Sequence, residues 1–179
     1  RLNNLLKTPV FGDEGLYCYL GYQINYLPPK DSANLVLNVW KDAPLLPVIN
    51  ALALKLFPSL LPLWTCRAAV TVIAGLGAIV LFGLGGWAAM LFYLLNPFSF
   101  FLDRTSLMEP VLNTAMLIFM AAALAAMKQG TKLSLTLAVF STGLLLAAKQ
   151  TGVLVLPIPL VWASLQRHKF PHLKRVGVI

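Results

Sequence analysis

Five apolar runs follow one another through the second two-thirds of the chain, from Arg67 to Leu84, Trp87 to Leu102, Thr105 to Met127, Lys132 to Ala148 and Gly152 to Leu165. Their uniform apolarity predicts helices that cross a bilayer, whose hydrocarbon core takes ~20 residues to span. Some runs are shorter, so their borders are expected to extend or the bilayer to thin locally. Residues 1–42 are instead mixed and polar, with Pro28, Pro29 and four of the six acidic residues, and are expected in water or at the interface. The stretch from Ala43 to Trp64 is apolar but cut by Pro44, Pro47, Pro58 and Pro62. Each proline removes a backbone donor that hydrocarbon cannot replace with water, so a broken interfacial helix is expected there. Small residues at Ala68, Ala69, Ala74, Gly75, Gly77 and Ala78 predict close helix approach in a bundle. The fold class that follows is all-α, a polytopic transmembrane helix bundle with an outer-facing juxtamembrane loop. Residues 1–64 form that loop and its helices, 65–166 the bundle, and 167–179 a basic cytoplasmic tail.

Composition supports this class: 59% of residues are apolar, only 11% are charged, and the mean hydropathy is +0.78. A soluble domain is roughly a quarter charged. The net charge of +8 could suggest nucleic acid. The basic residues are scattered between apolar runs without interleaved aromatics, however, which argues against that partner. Cys18 and Cys66 lack His neighbours at ligand spacing, so neither a zinc site nor a redox motif is indicated. The sequence neither requires nor forbids a disulfide between them. Opening on Arg1 and ending at Ile179 without a recognisable signal, the chain reads as a piece of a larger protein.

Charge is distributed unequally between the ends of the runs. Asp13, Glu14, Lys41, Asp42, Arg67, Asp103, Arg104, Glu109 and Lys149 fall where the runs would meet one membrane face. Lys128, Lys132, Arg167, Lys169, Lys174 and Arg175 mark the opposite ends, and they assign those ends to the cytoplasm. Alternating crossings then place Arg67, the Asp103-Arg104 junction and the Lys149-Gln150-Thr151-Gly152 turn outside, provided that Ala43 to Trp64 does not span. In a bacterium this would be the outer face of the plasma membrane.

Several of these charges also have plain structural readings. Lys55 reads as a snorkelling lysine. Ser106 and Glu109 fit a helix-starting capping box, although Pro110 leaves its register uncertain. Asp103 could cap the same helix or neutralise Arg104. His168 and His172 read as solvated, and Trp64, Trp87 and Trp162 as interfacial anchors. Asp13 and Glu14, between Gly12 and Gly15, precede Leu16, Tyr17, Tyr19, Leu20 and Tyr22, a pattern suited to an interfacial helix. Adjacent side chains diverge, so one carboxylate can face a substrate while its neighbour holds a cation, a metal or the loop. Helix capping by Asp13 is the simpler alternative.

Five segments together resemble the ordered landmarks of polyprenyl-phosphate-dependent glycosyltransferases, the family of protein O-mannosyltransferases and aminoarabinose transferases. They are Gly12-Asp13-Glu14-Gly15-Leu16-Tyr17, Trp40-Lys41-Asp42-Ala43-Pro44, Arg67 opening a run, Arg104 through Glu109-Pro110, and Ala148-Lys149-Gln150-Thr151-Gly152. The resemblance implies a GT-C-like fold, a polyprenyl-phosphate sugar donor, a hydroxyl acceptor on a protein, lipid or glycan, and transfer with inversion. It implies Asp13 as catalytic base with Glu14 supporting it. Arg67, Arg104, Lys149 and Lys41 would bind the donor phosphate, with Asp103 and Glu109 as further candidates. Participation of a divalent metal is left open. The Asp42-Ala43 interruption departs from the family pattern around Lys41, and Glu109 stands where relatives often carry Asp. The residue types suit the reaction: cations stabilise the departing phosphate and a carboxylate takes the acceptor proton. A non-catalytic transporter or membrane-assembly subunit is the alternative, and an acyl or phosphatidyl transferase would need a His-Asp or metal motif that this sequence lacks.

Overall fold

The computed structural model describes residues 12–39, 44–103 and 105–165, which are mostly helical and include no strand. Eight α-helices and one 3-10 turn follow in order: α1 (Gly12–Tyr26), α2 (Pro29–Val39), α3 (Leu45–Leu56), α4 (Pro62–Leu95), α5 (Pro97–Leu102), α6 (Met108–Gln129), α7 (Lys132–Ala148), η1 (Gln150–Val155) and α8 (Pro157–Leu165). Proline opens α2, α4, α5 and α8, the position where its missing N–H removes no helical bond and its fixed φ suits the turn. Pro47 and Pro110 each lie third in their helices, still within the first turn, where no intrahelical bond is lost.

The broken helix expected between residues 43 and 64 is α3, at 12 residues about 18 Å long and too short to cross ~30 Å of hydrocarbon. Two helices, α4 and α6, are long and apolar enough to cross a membrane. The other expected crossings are differently built. Gly86 adopts φ 71° and ψ −167° and interrupts α4 at the border anticipated between the first two runs. The run from Trp87 to Leu102 is then divided again at Asn96, which is extended (ψ 119°) because Pro97 disfavours helical backbone in the residue before it. The run from Gly152 to Leu165 is likewise split into η1 and α8, with Pro157 at the division. Neither is one straight helix.

α6 and α7 form an antiparallel hairpin. Gly130 closes α6 in the left-handed conformation (φ 61°) and its N–H donates to the Ala126 carbonyl at 2.9 Å. Thr131 then opens α7, its hydroxyl accepting from the Ser134 N–H at 3.2 Å. This turn puts Lys128 and Lys132, both exposed, at one end of the hairpin. Glu109 and Lys149 lie at the other, ~30 Å away at 1.5 Å per residue. α4 packs on α6 where Gly77 meets Thr114, whose hydroxyl donates to the Ile73 carbonyl at 3.1 Å. The core between these helices is filled by Leu46, Val70, Val111, Ala115, Phe119 and Leu145. The outer faces are apolar too: Phe92 is 75% and Phe140 70% exposed.

α1 lies on α3, and the close approach depends on Gly21. A Cβ at that position would stand 2.7 Å from Asn50 Cβ and 2.9 Å from Ala51 N. Neither atom belongs to a flexible side-chain end. Gly21→Ala is therefore expected to push α1 outward and destabilise the protein by about 1–3 kcal/mol, the range for overpacking. Thermal unfolding in detergent measures this, with Gly83→Ala as control because nothing lies within 4 Å of its added methyl.

Candidate functional site

Four segments distant in sequence meet at the end of the bundle that carries Glu109 and Lys149. Glu14, in the first turn of α1, shares the inward face of that helix with Tyr17, Cys18 and Gly21 and is fully buried. It meets Arg67, also 0% exposed, across two parallel bonds: Nε to Oε1 and Nη2 to Oε2, each 2.7 Å. Oε1 accepts a further bond, 2.6 Å long, from the backbone N–H of Ser106. The planar guanidinium fork and the backbone amide thus supply the bonds that a carboxylate taken out of water requires.

Around this pair lies a buried polar layer. Ser106 Oγ accepts from Asn50 Nδ2 at 3.2 Å. Thr71 Oγ1 stands 2.7 Å from the Asp103 carbonyl and 2.9 Å from that of Arg67. Tyr93 donates its hydroxyl to Asp103 Oδ1 at 3.1 Å. Asn50, Asp103, Thr105 and Ser106 are all buried. Asn50, Thr71, Tyr93 and the Ser106 amide are members that the sequence reading passed over. For Asn50 a signal existed, as a neutral polar residue in the middle of the otherwise apolar stretch Leu45–Ala53.

The two cysteines reinforce the same junction. Cys18 lies one turn after Glu14 and Cys66 directly before Arg67, and they form a disulfide with Cα atoms 6.0 Å apart. It closes a sequence separation of 48 residues, a loop whose restriction contributes about 2–4 kcal/mol. Covalent bond and ion pair therefore fasten α1 to α4 side by side.

Asp13 behaves oppositely to its neighbour. It is exposed and makes no hydrogen bond or ion pair within the described residues. The helical turn that points Glu14 inward points Asp13 out. Lys149 and Glu109 form a second pair, 3.4 Å apart with side chains 35% and 44% exposed. A pair so long and wet contributes about 0–1 kcal/mol, so Lys149 can exchange Glu109 for another anion at little cost.

Several expectations need correction at this point. Ser106 and Glu109 form no capping box: Leu107 is the N-cap of α6 and no side chain caps it. Ser106 bonds Asn50 and Glu14 instead, and Glu109 turns to Lys149. Asp103 does not cap α6 either. Arg67, expected against the donor phosphate, is enclosed by protein and bonded to Glu14. Lys41, Asp42, Arg104 and the tail after residue 165 lie outside the described residues, so their expected roles stand on the sequence. Among the described residues no three His, Cys, Asp or Glu side chains gather as metal ligands.

No protein-family model, no curated protein and no solved structure matches this chain.

Proposed function

We propose that the chain is part of a multi-pass, GT-C-like glycosyltransferase that moves a sugar from a polyprenyl phosphate to a hydroxyl acceptor, with the Glu14–Arg67 end facing outward. The observation that carries this reading is the division of labour between two adjacent carboxylates. Glu14 is locked inside by Arg67 and the Ser106 amide, while Asp13 is held at the rim of the same junction, exposed and without a partner among the described residues. In the proposed step the acceptor hydroxyl gives its proton to Asp13 and its oxygen bonds to the anomeric carbon. The bond from that carbon to the phosphate oxygen breaks, and the electron pair leaves with the polyprenyl phosphate. Lys149, and on the family resemblance Arg104 and Lys41, stabilise that leaving charge. Glu14 and Arg67 act as positioning residues.

Two further features support the outward orientation and the membrane. The Cys18–Cys66 disulfide sits beside the site, and such bonds persist in oxidising compartments. Large apolar side chains cover the outside of α4 and α7, a surface matched to hydrocarbon. Transfer assays on the full-length protein in liposomes, against a panel of radiolabelled polyprenyl-phosphate sugars, test the proposal. A product of inverted configuration is expected. Lys149→Ala should raise the donor KM by roughly 10-fold or more, the scale of one charged hydrogen bond. The buried Glu14–Arg67 pair would serve equally as a brace in a non-catalytic subunit. Solute transport or partner assembly without transfer from any donor would establish that second reading and remove the first.

A further inference from the structure

Two cavities flank the connection between α3 and α4 and share Phe57 and Leu60 in their walls. One, of about 570 Å³, is a slot between the two helices, walled by Leu52, Ala53, Leu56, Ala68, Ala69 and Val72 among others. Its only hydroxyl, that of Thr65, is already bonded to the Leu61 carbonyl at 3.2 Å. The other, of about 530 Å³, lies on the far side of the connection against α1 and α2 and is polar in part. Its Asn25 and Ser32 are turned to backbone carbonyls, Asn25 to Ala51 and Ser32 to Ile24 and Leu27. Lys55 supplies the one charge on its walls and makes no ion pair or hydrogen bond among the described residues.

A hydrocarbon-lined slot that shares Phe57 and Leu60 with a cavity carrying a cation, unpaired among the described residues, has the layering of an amphiphile whose head is negative. The geometry points to a binding site for one anionic glycerophospholipid, with an acyl chain between α3 and α4 and its phosphate at Lys55. Neither cavity is lined by Asp13, Lys149 or any other member of the candidate site, so a lipid held here is not presented to the carboxylate rim. Its place is structural: it fills the gap between the helix that supports α1 and the helix that carries Arg67. The sequence reading of Lys55 as a snorkelling lysine gave it a generic headgroup contact, whereas the paired cavities give that contact a specific partner. The inference rests on membrane placement of the chain and not on sugar transfer.

Native mass spectrometry of the full-length protein tests it, in detergent with equal amounts of phosphatidylglycerol and phosphatidylcholine. Preferential retention of phosphatidylglycerol by roughly five-fold is expected, the effect of one basic side chain at a charged headgroup. Lys55→Glu should abolish the preference, Lys55→Arg should keep it, and Lys132→Glu at the opposite end should leave it unchanged. Ala69→Trp, which fills the slot, should lower retention of both lipids. Because Lys55 is exposed, its variants test the site even if Ala69→Trp fails to fold. Equal retention of the two lipids by the native protein, or an unchanged preference in Lys55→Glu, would overturn the inference. Displacement of phosphatidylglycerol by polyprenyl phosphate at lower concentration than by fresh phosphatidylglycerol would also overturn it, by returning the slot to the donor. Failure of sugar transfer would leave these outcomes untouched.

Discussion

Asp13→Asn is expected to reduce sugar transfer by roughly 10²- to 10⁴-fold, the usual contribution of a positioned general base. The change keeps size and shape, and it removes only the capacity to accept a proton. Because Asp13 is exposed and unpartnered within the described residues, the folded protein should hardly notice its loss. Surface substitutions of this kind fall within about ±0.5 kcal/mol. Its place in the first turn of α1 adds at most ~1 kcal/mol through the helix dipole. The loss should therefore appear in kcat, with the donor KM and the thermal midpoint close to their original values. Transfer at the native rate by correctly folded Asp13→Asn would remove this residue as the base. A parallel drop in stability would instead assign it a structural part.

The second large effect concerns folding. Arg67→Ala would leave the Glu14 carboxylate buried at 0% exposure with only the Ser106 amide as a described partner, and breaking a buried pair in this way costs about 3–5 kcal/mol. Glu14→Ala should be comparable, since it takes two parallel bonds from the buried guanidinium and leaves the Ser106 N–H without its described acceptor. Arg67→Lys should not rescue the protein, because a point charge cannot reproduce two parallel bonds to one carboxylate. The double variant Glu14→Leu with Arg67→Met removes both charges at similar volume, and should recover most of the lost stability, as apolar replacements of buried pairs often do. Thermal unfolding of the four variants against the native protein measures this order. An Arg67→Ala protein as stable as the native one would show that the pair does not hold α1 to α4. With the disulfide intact that result would assign the junction to Cys18 and Cys66 alone.

Much of the helical layout was legible along the chain because proline and glycine act locally. The short α3 follows from the prolines around it, whereas Pro97 and Pro157 open helices inside runs that the apolar pattern presented as continuous. The crossings were less legible. Apolar runs do not reveal where the axis bends, and the breaks at Gly86 and Asn96 depend on backbone conformation that hydropathy does not record. The site was legible in its members more than in its bonds. Glu14, Arg67 and Asp103 do converge at one end of the bundle, as the unequal distribution of charge implied. Yet Ser106 was assigned to a local cap, since sequence proximity favours Glu109, three residues away, over Glu14, 92 residues away.

What the sequence by itself determined is the class of solvent-facing surface, the positions where helices must begin and end, and the separation of acidic from purely basic ends. Those follow from side-chain transfer energies and backbone donors, which are properties of each residue alone. Which of two neighbouring carboxylates is enclosed and which is left free was decided only by the tertiary structure. One turn of α1 puts Glu14 in line with Tyr17 and Gly21, and it is tolerated in the interior because Arg67, 53 residues later, and the Ser106 amide arrive opposite it.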